Sequence, residues 1–597
     1  MVKRMANIVV NDNSKMFQIQ RFLGLNENMD GDTQLKLGEA SNIENFRVTQ
    51  QYHLQGRPGT RAIKTFEGPV RGIWSGYVAG REKMLCAADG AVWDITEEPA
   101  RRIGDIYDDE TTFFGFNDKV YILNGHEYMF WDGEGYVDVV QGYVPLVATA
   151  VSPSGGGTTL ENINLLTGKR RIQFSADGES TEYVLPEKNL LAVEKVTTYG
   201  SETPSYTADL ENGTITFASA PLEGSANVEI LYSVKNVLRS QVESMRFCES
   251  FNGAAETRIF LYGNGTAKTI YCGVTTEGIA SAEYFPDLYE ITVGDSNTPI
   301  TGMVKHYDRL LTFKPDGAFA TEYSSVTLPD GTVTAGFYTI PLNREIGNEA
   351  PGQVRLVYNY PRTMFHRNLY DWKMTSSTVR DERNAKLVSD KVQQTMKRAD
   401  AKSCFIFDDD GSQEYYIFLN DEQGTALVHR YIENVWYKYT NLPVKCGCRK
   451  GNEVYFGMSD GRVCVFSEEE SSDDGAVIPA VYESGNMDFG VDFKRKHSSV
   501  ILVSLKPDAN ARITVTAKSD RRGEYAEKTV VAKTAGFDAV DFGNWSFQTN
   551  YAPKMTRIKL KVKKFVYYKL ILKNNSVSSK TSVLGVDIKT RYTGYVK

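Results

Sequence analysis

Residues 118–132 read DKVYILNGHEYMFWD, and the fold of the whole chain turns on this stretch. An apolar run enters an Asn-Gly turn, and a second run closes on aromatics. Val, Tyr, Ile and Phe suit a pleated, half-buried surface, and Asn-Gly accepts the positive φ of a tight hairpin turn. The stretch reads as a β-hairpin. Copies recur as EVYFGMSDGRVCVF at 453–466, EKMLCAADGAVWD at 82–94, RIFLYGNGTAKTIYC at 258–272, RLLTFKPDGAFATEY at 309–323 and EYYIFLNDEQGTALVHRYIENVWY at 414–437. A lone hairpin cannot bury its apolar face, so a series implies neighbours packed side by side.

The turns fall near residues 90, 125, 264, 316, 422 and 460. Three of the five gaps approach the ~40–50 residues of a four-stranded propeller blade. The gap after 125 is long enough for an inserted domain. The gap after 316 leaves room for a degenerate blade around 354–372. The expected fold is mostly β: a β-propeller of six or seven blades with an inserted small β-sandwich and a C-terminal β domain. A run of stacked β-sandwiches also alternates strand and turn, and is the competing architecture.

At 597 residues the chain exceeds a single core, so three or more domains are expected. We place an N-terminal arm and opening segment at 1–66, the first blades at 67–145 and the inserted sandwich at 146–236. The remaining blades take 237–476 and the C-terminal β domain 477–597. Ser152-Pro-Ser-Gly-Gly-Gly157 reads as a flexible linker by composition. The spacing of Leu387, Val388, Val392 and Met396 predicts an amphipathic helix over 380–400. The acidic run SEEESSDDG at 467–475 reads as a solvated boundary loop.

The net charge of −7 is mild and argues against a nucleic-acid affinity protein, which is usually basic. The opening MVKRMANIVVNDNSK has only a four-residue apolar run, too short for a signal-peptide core, and no stretch reaches the ~18 apolar residues of a membrane span. Folding in a cytoplasm is expected. The seven cysteines sit mostly inside apolar runs and read as buried, reduced thiols.

One stretch breaks the mild charge balance. Residues 554–573 hold Lys554, Arg557, Lys559, Lys561, Lys563, Lys564, Lys569 and Lys573 with no acid. Ile558, Leu560 and Val562 alternate with Arg557, Lys559 and Lys561, the period of a strand. Lysines on an edge strand discourage aggregation, which accounts for the pattern without a ligand. The functional reading is a basic stripe facing a partner or a polyanion.

No nucleophile elbow, Walker loop, HExxH or GxGxxG is present, and the six His share no motif. Asp408-Asp409-Asp410-Gly411 reads as a turn. No catalytic, cofactor-binding or metal-ligating residue is assigned, and no cofactor is expected. A glycosidase carboxylate pair is defined by its separation in space, so the sequence leaves that question open.

Leu23-Gly24-Leu25-Asn26, Leu37-Gly38-Glu39-Ala40-Ser41, Asn45-Phe46 and Gly56-Arg57-Pro58-Gly59 follow one another in an order that resembles the opening of the tail nozzle proteins of short-tailed bacteriophages, also called tail tubular protein B or tail hub proteins. RIFLYGNG at 258–265, AEYFP at 282–286, ENVWYKYT at 433–440, VYFGMSDGRV at 454–463 and the run from Asp473-Asp474-Gly475 to Pro479 are similar too. The likeness spans roughly 20–145 and 240–500. It implies a structural virion protein without enzymatic activity. Identical subunits, six in the family, would form a ring beneath a portal-adaptor ring. Tail fibres or tailspikes would be neighbours, and viral DNA would pass through without sequence-specific binding. Such an N-terminal strand could complete a blade made from C-terminal repeats. The alternative function is a receptor- or polysaccharide-binding β-propeller; a hydrolase on the same scaffold is third.

Overall fold

The computed structural model is mostly β and describes residues 14–28, 35–253, 256–327, 333–373, 385–506, 511–532, 553–577 and 581–596. Seven four-stranded groups share one plan. They span 70–105, 112–139, 247–292, 302–343, 355–387, 405–439, and 444–467 together with Gly59–Thr65. In the first six the strands lie side by side in chain order. Each hairpin singled out in the sequence contributes the two middle strands of such a group, as Lys119–Leu123 and Tyr128–Trp131 do in the second.

Turn chemistry explains the repetition. Asp89-Gly90 has φ of 53° and 64°, and Asn117-Asp118 has 48° and 58°. Positive φ at both central residues matches the right-handed twist of the flanking strands. The degenerate fifth group makes the same turns with less usual residues, Tyr358-Asn359 at 49° and 66° and His366-Arg367 at 47° and 59°.

The chain divides into two compact units. One comprises Phe66–His366 and Asp371–Lys386. Here successive sheets pack face to face. Val78, Leu85 and Val92 of the first meet Val120, Ile122 and Trp131 of the second. Phe114, Tyr121 and Tyr128 meet Ile259, Leu261 and Ile270 of the third. Phe251, Phe260 and Tyr262 meet Met303 and Leu310 of the fourth. Leu311 and Phe313 share a cluster with Val354 and Trp372. Among the aromatics that close the repeated hairpins, Trp131 and Tyr437 are core, while Trp93, Tyr271, Tyr323 and Phe466 are half-buried.

Between the second and third groups a six-stranded and a three-stranded sheet enclose one core, with Ile172, Phe174, Tyr183, Ile215, Phe217 and Ile230 inside. Leu146–Val151 pairs parallel to Lys169–Ala176, so Ser152–Gly157 is a turn within this body; the flexible linker expected there is absent. Its ends lie close, because Leu146 is opposite Arg171 and Arg171 is opposite Leu231. Leu165 and Leu166 leave this body and sit in the core between the second and third groups.

The other unit comprises Met1–Thr65, Arg367–Tyr370 and Leu387–Lys597. Phe456 of the seventh group packs edge-on against Phe407, Tyr416 and Phe418 of the sixth. The sixth runs on through Glu39–Glu44, Ala480–Ser484, Tyr568–Asn574, Ala511–Ser519 and Lys528–Ala532. A second sheet orders Phe46–Val48, Leu54–Gly56, Ser582–Tyr595, Lys494–Leu505 and Lys554–Ile558. Ser14–Ile19 joins it along Ser582–Tyr595, and Val562–Phe565 along Lys494–Leu505.

Three expectations change. Over its described residues the N-terminal arm is sheet, because 14–56 supplies strands to the same body as 477–596. Residues 1–13 and 29–34 lie outside the described residues. The helix read over 380–400 is broken: Ala385–Leu387 is a strand, Asp390–Val392 a 3-10 turn and Gln393–Met396 one helical turn, while 380–384 are not among the described residues. Four apolar residues at helical spacing were too few to outweigh strand pairing at Ala385–Leu387. The run 556–573 is three strands, with a crossover at 566–567 that sends Tyr568–Asn574 to the other sheet.

Two tests follow from this packing. Val234 N donates to Gly168 O at 3.0 Å, so excising 169–233 behind a short Gly-Ser bridge should leave cooperative unfolding of the remaining sheets in urea. Excising 155–236 should cost more, since buried Leu165 and Leu166 are lost at about 2–5 kcal/mol each. Equal loss in the two variants would contradict the placement of these leucines. The second test concerns Glu249, mostly buried on Phe247–Asn252, whose carboxyl burial pushes up to about 7 against the opposing pull of Arg355 and Lys305. The folded state then binds more protons than the unfolded one, so stability should fall as pH rises from about 4.5 to about 7. Glu249→Gln should flatten that slope; an unchanged slope in chemical denaturation would refute it.

Candidate interaction surface

Arg57, in the Arg-Pro-Gly turn ahead of Gly59–Thr65, anchors the first element of the site. It is buried, and all five of its N–H groups are used. Nη1 and Nη2 donate to the two carboxylate oxygens of buried Asp473. Nη1 also donates to Pro58 O at 2.9 Å, Nη2 to Thr440 O at 3.1 Å and Nε to Asn45 Oδ1 at 2.9 Å. Asn45 Nδ2 in turn donates to Thr440 Oγ1 and Pro479 O, each at 2.8 Å. Thr60 Oγ1 donates to Asp473 Oδ1 at 3.1 Å. Gly59 is required here because a Cβ would lie 2.2 Å from Ser472 O. Gly38, at φ 96°, would likewise press a Cβ to 2.2 Å from Arg21 O.

Four of the motifs quoted separately from the sequence thus meet in one cluster. Asn45 and Arg57, Thr440, and Asp473 and Pro479 come from three distant stretches of chain. The cluster fastens Gly59–Thr65 onto Arg462–Ser467 as the outer strand of the seventh group, with Phe466 opposite Thr60 and Val465 opposite Arg61.

The same contacts refine the reading of 467–475 as a solvated acidic loop: Glu468, Glu469 and Asp474 are exposed, whereas Asp473 is buried. Glu468 pairs with Arg47, Glu470 with Arg61, Asp473 with Arg57 and Asp474 with Arg462. The carboxylates are consumed as staples, because the loop is where the N-terminal strand docks.

The second element is the outer face of the sheet built on Lys494–Leu505 and Ser582–Tyr595. Ile501, Val503, Leu505, Val586, Ile588 and Ile558 are buried on the inner face. On the outer face the register sets His497 opposite both Lys563 and Arg591, Leu502 opposite both Arg557 and Asp587, and Val500 opposite Lys589. Arg557, Lys559, Lys561 and Lys563 are exposed, as the alternation requires. Lys569 and Lys573 belong to the other sheet, where Lys569 Nζ donates to Ser41 Oγ and Lys573 pairs with Glu527. The basic stripe is therefore shorter along the chain than its sequence suggests, and wider across strands. Partial burial holds the His497 imidazole below its usual pKa, and the Lys563 and Lys561 charges push the same way.

Sequence reasoning missed His497, Lys589 and Arg591, whose addition depends on strand register. It also missed a buried cluster in the sixth group. Tyr416 and Tyr437 both donate to Glu414, and Arg430 bridges Glu414 and Glu433. Burial, then the Glu414 charge, lifts both phenols far above their usual pKa. Both carboxylates are paired with Arg430, Glu414 from its strand and Glu433 from the turn before Val435–Tyr439.

Of the expected turn at Asp408–Gly411, Asp408 and Asp409 belong to the strand Phe405–Asp409 and the turn begins at Asp410; Arg449 pairs with Asp409 and Asp410. Cys86, Cys272, Cys404 and Cys464 are buried, whereas Cys248, Cys446 and Cys448 are only partly so. Burial lifts the Cys272 thiol to about 11 and the Cys448 and Cys464 thiols to about 12. Among the described residues no group of three or more His, Cys, Asp or Glu is placed to hold a metal ion, and no helix is long and apolar enough to cross a membrane.

No protein-family model and no curated protein matches the chain. Similar solved structures include a computationally designed protein, Ika8, at 10% identity and TM-score 0.32, over 69% of this chain and 99% of that one. The AfRom2 CNH domain aligns at 8% identity and TM-score 0.24, over 62% of this chain and 98% of that one. An exo-β-1,3-galactanase from Phanerochaete chrysosporium aligns at 8% and TM-score 0.19, over 54% and 95%.

Removing one partner of a buried, hydrogen-bonded ion pair strands the other charge at about 3–5 kcal/mol. Arg57→Ala and Asp473→Ala should each shift the urea midpoint by that order. Arg57→Lys should recover little, because one ammonium cannot reach Asn45, Thr440 and Asp473 together. Wild-type midpoints in both alanine variants would contradict the role given to the cluster.

Proposed function

We propose that the protein is a structural component of a bacteriophage virion, a tail nozzle that forms a ring, retains the genome and conducts it during ejection. In this reading the seven four-stranded groups are the blades of one closed propeller, with Gly59–Thr65 completing the seventh. The insert is a separate β-sandwich, and the sheets around 477–596 form the C-terminal β domain. Identical subunits, six by family resemblance, surround a channel beneath a portal-adaptor ring, with tail fibres or tailspikes as neighbours. The function is mechanical and needs no bond chemistry or cofactor.

One observation carries the reading. Residues from four of the motifs behind the nozzle resemblance, Asn45, Arg57, Thr440 and the run from Asp473 to Pro479, converge on one cluster. A chance likeness of short motifs gives no reason for them to meet. Mild negative charge also suits a conduit, since a strongly basic wall would hold phosphates and slow passage.

The test is co-sedimentation of the full chain with a portal-adaptor complex from a short-tailed phage whose genome encodes this chain, beside a glycan array and glycan-hydrolysis assays. A nozzle co-sediments and leaves glycans unbound and uncut. Glycan retention without co-sedimentation supports the receptor- or polysaccharide-binding propeller. Turnover abolished by one carboxylate substitution supports the hydrolase.

A further inference from the structure

The outer face of the sheet built on Lys494–Leu505 carries two rows of cations. Arg557, Lys559, Lys561 and Lys563 run along one side, and Lys589 and Arg591 lie on Ser582–Tyr595 at the other. The rows are two strand spacings apart, about 10 Å, with His497, Val500 and Leu502 between them. One carboxylate, Asp587, shares the face. These residues sum to +5 in a chain whose total is −7, so the rest of the chain carries −12. Among the described residues no carboxylate pairs with Arg557, Lys559, Lys561, Lys563 or Arg591.

Edge protection accounts for the first row and not for the second. Ser582–Tyr595 is an interior strand, paired with Lys494–Leu505 on one side and Ser14–Ile19 on the other, so Lys589 and Arg591 guard no edge. Like charges set across neighbouring strands destabilise a sheet, and here Lys563 and Arg591 flank the same residue, His497. After partial burial, the charges of Lys563, Lys561 and Arg591 hold the His497 imidazole below its usual pKa. A bound anion removes this repulsion.

Protein surfaces intersperse both signs, and a protein partner would bring some of its own cations against this face. A nucleic-acid duplex presents one sign throughout. It carries a charge for every ~1.7 Å of its axis, and so about a dozen along the ~20 Å that Arg557 to Lys563 can span. We propose that this face binds the phosphate backbone of duplex DNA, independently of sequence. The inference rests on the nozzle reading, in which the genome is the polyanion that passes each copy, and gives its retention a site. Phosphate contacts fix position without reading bases. The negative remainder of the chain confines contact to this face, so the duplex meets a basic patch and not a basic wall.

The experiment titrates the full chain into two unrelated, labelled duplexes of about 20 base pairs and reads fluorescence anisotropy from about 50 to about 200 mM salt. Six phosphate contacts should weaken on both duplexes alike, by about a thousandfold over that range. Lys559→Ala, Lys561→Ala and Lys563→Ala together should flatten the log–log salt slope by about three, and Arg591→Ala alone by about one. A control removes the same charge from exposed lysines of the insert, Lys188→Ala, Lys195→Ala and Lys235→Ala, and should keep the wild-type slope. Circular dichroism and urea midpoints check that every variant remains folded. No binding by wild type at the lowest salt, a slope shared by the triple variant and its control, or a wild-type slope in Arg591→Ala overturns this inference. Each of these leaves the co-sedimentation test of the nozzle reading intact. DNA binding that depends on these residues without portal-adaptor co-sedimentation supports the face and contradicts the nozzle reading. An acidic polypeptide that binds at least as tightly as the duplex, and is lost in the same variants, assigns the face to a protein partner and overturns the proposal.

Discussion

A buried guanidinium is tolerated only when every donor is satisfied, and Arg57 meets that condition with groups drawn from across the chain. It takes both oxygens of Asp473 and the carbonyls of Pro58 and Thr440, with Asn45 on its remaining side. Losing any partner leaves a charge or a carbonyl desolvated and unpaired. The N-terminal strand Gly59–Thr65 is therefore held to the last repeat by a polar cluster as well as by its ladder. The strands before it, from Ser14 to Gly56, are woven into the C-terminal sheets by the same route. Non-local pairing of this kind is expected to fold slowly, because loop closure precedes the contacts that reward it.

Much of this architecture was legible in the sequence. The period-2 runs and Asp-Gly or Asn-Gly turns mark five of the central hairpins, and those hairpins are the middle strands of their four-stranded groups. The fifth group was faint because its turns, Tyr358-Asn359 and His366-Arg367, contain no glycine and place Tyr358 and Arg367 at a positive φ that such residues seldom adopt. Its apolar strands were visible but their punctuation was not. The flanking outer strands are short and partly polar, as edges often are, and gave little signal.

The candidate surface was legible only in part. Alternation along 557–562 placed Arg557, Lys559 and Lys561 on one face, and these three are exposed where Ile558, Leu560 and Val562 are buried. Nothing local could announce His497, Lys589 and Arg591, which join that face through pairing across strands. Nor could composition reveal that the carboxylates of 467–475 are spent on Arg47, Arg57, Arg61 and Arg462. Three of these counter-charges, Arg47, Arg57 and Arg61, lie some four hundred residues away in sequence and are found only in space. Arg57 itself carried a signal, its place in an Arg-Pro-Gly turn, but that turn explained only Pro58 and Gly59.

The account stands most directly on the geometry of the assembled protein, which electron cryomicroscopy of the purified full-length chain would measure. It predicts rings of identical copies around an axial opening, each copy containing one seven-bladed propeller whose last blade includes Gly59–Thr65. Single copies under every condition, or copies whose seven sheets do not close on themselves, would contradict it.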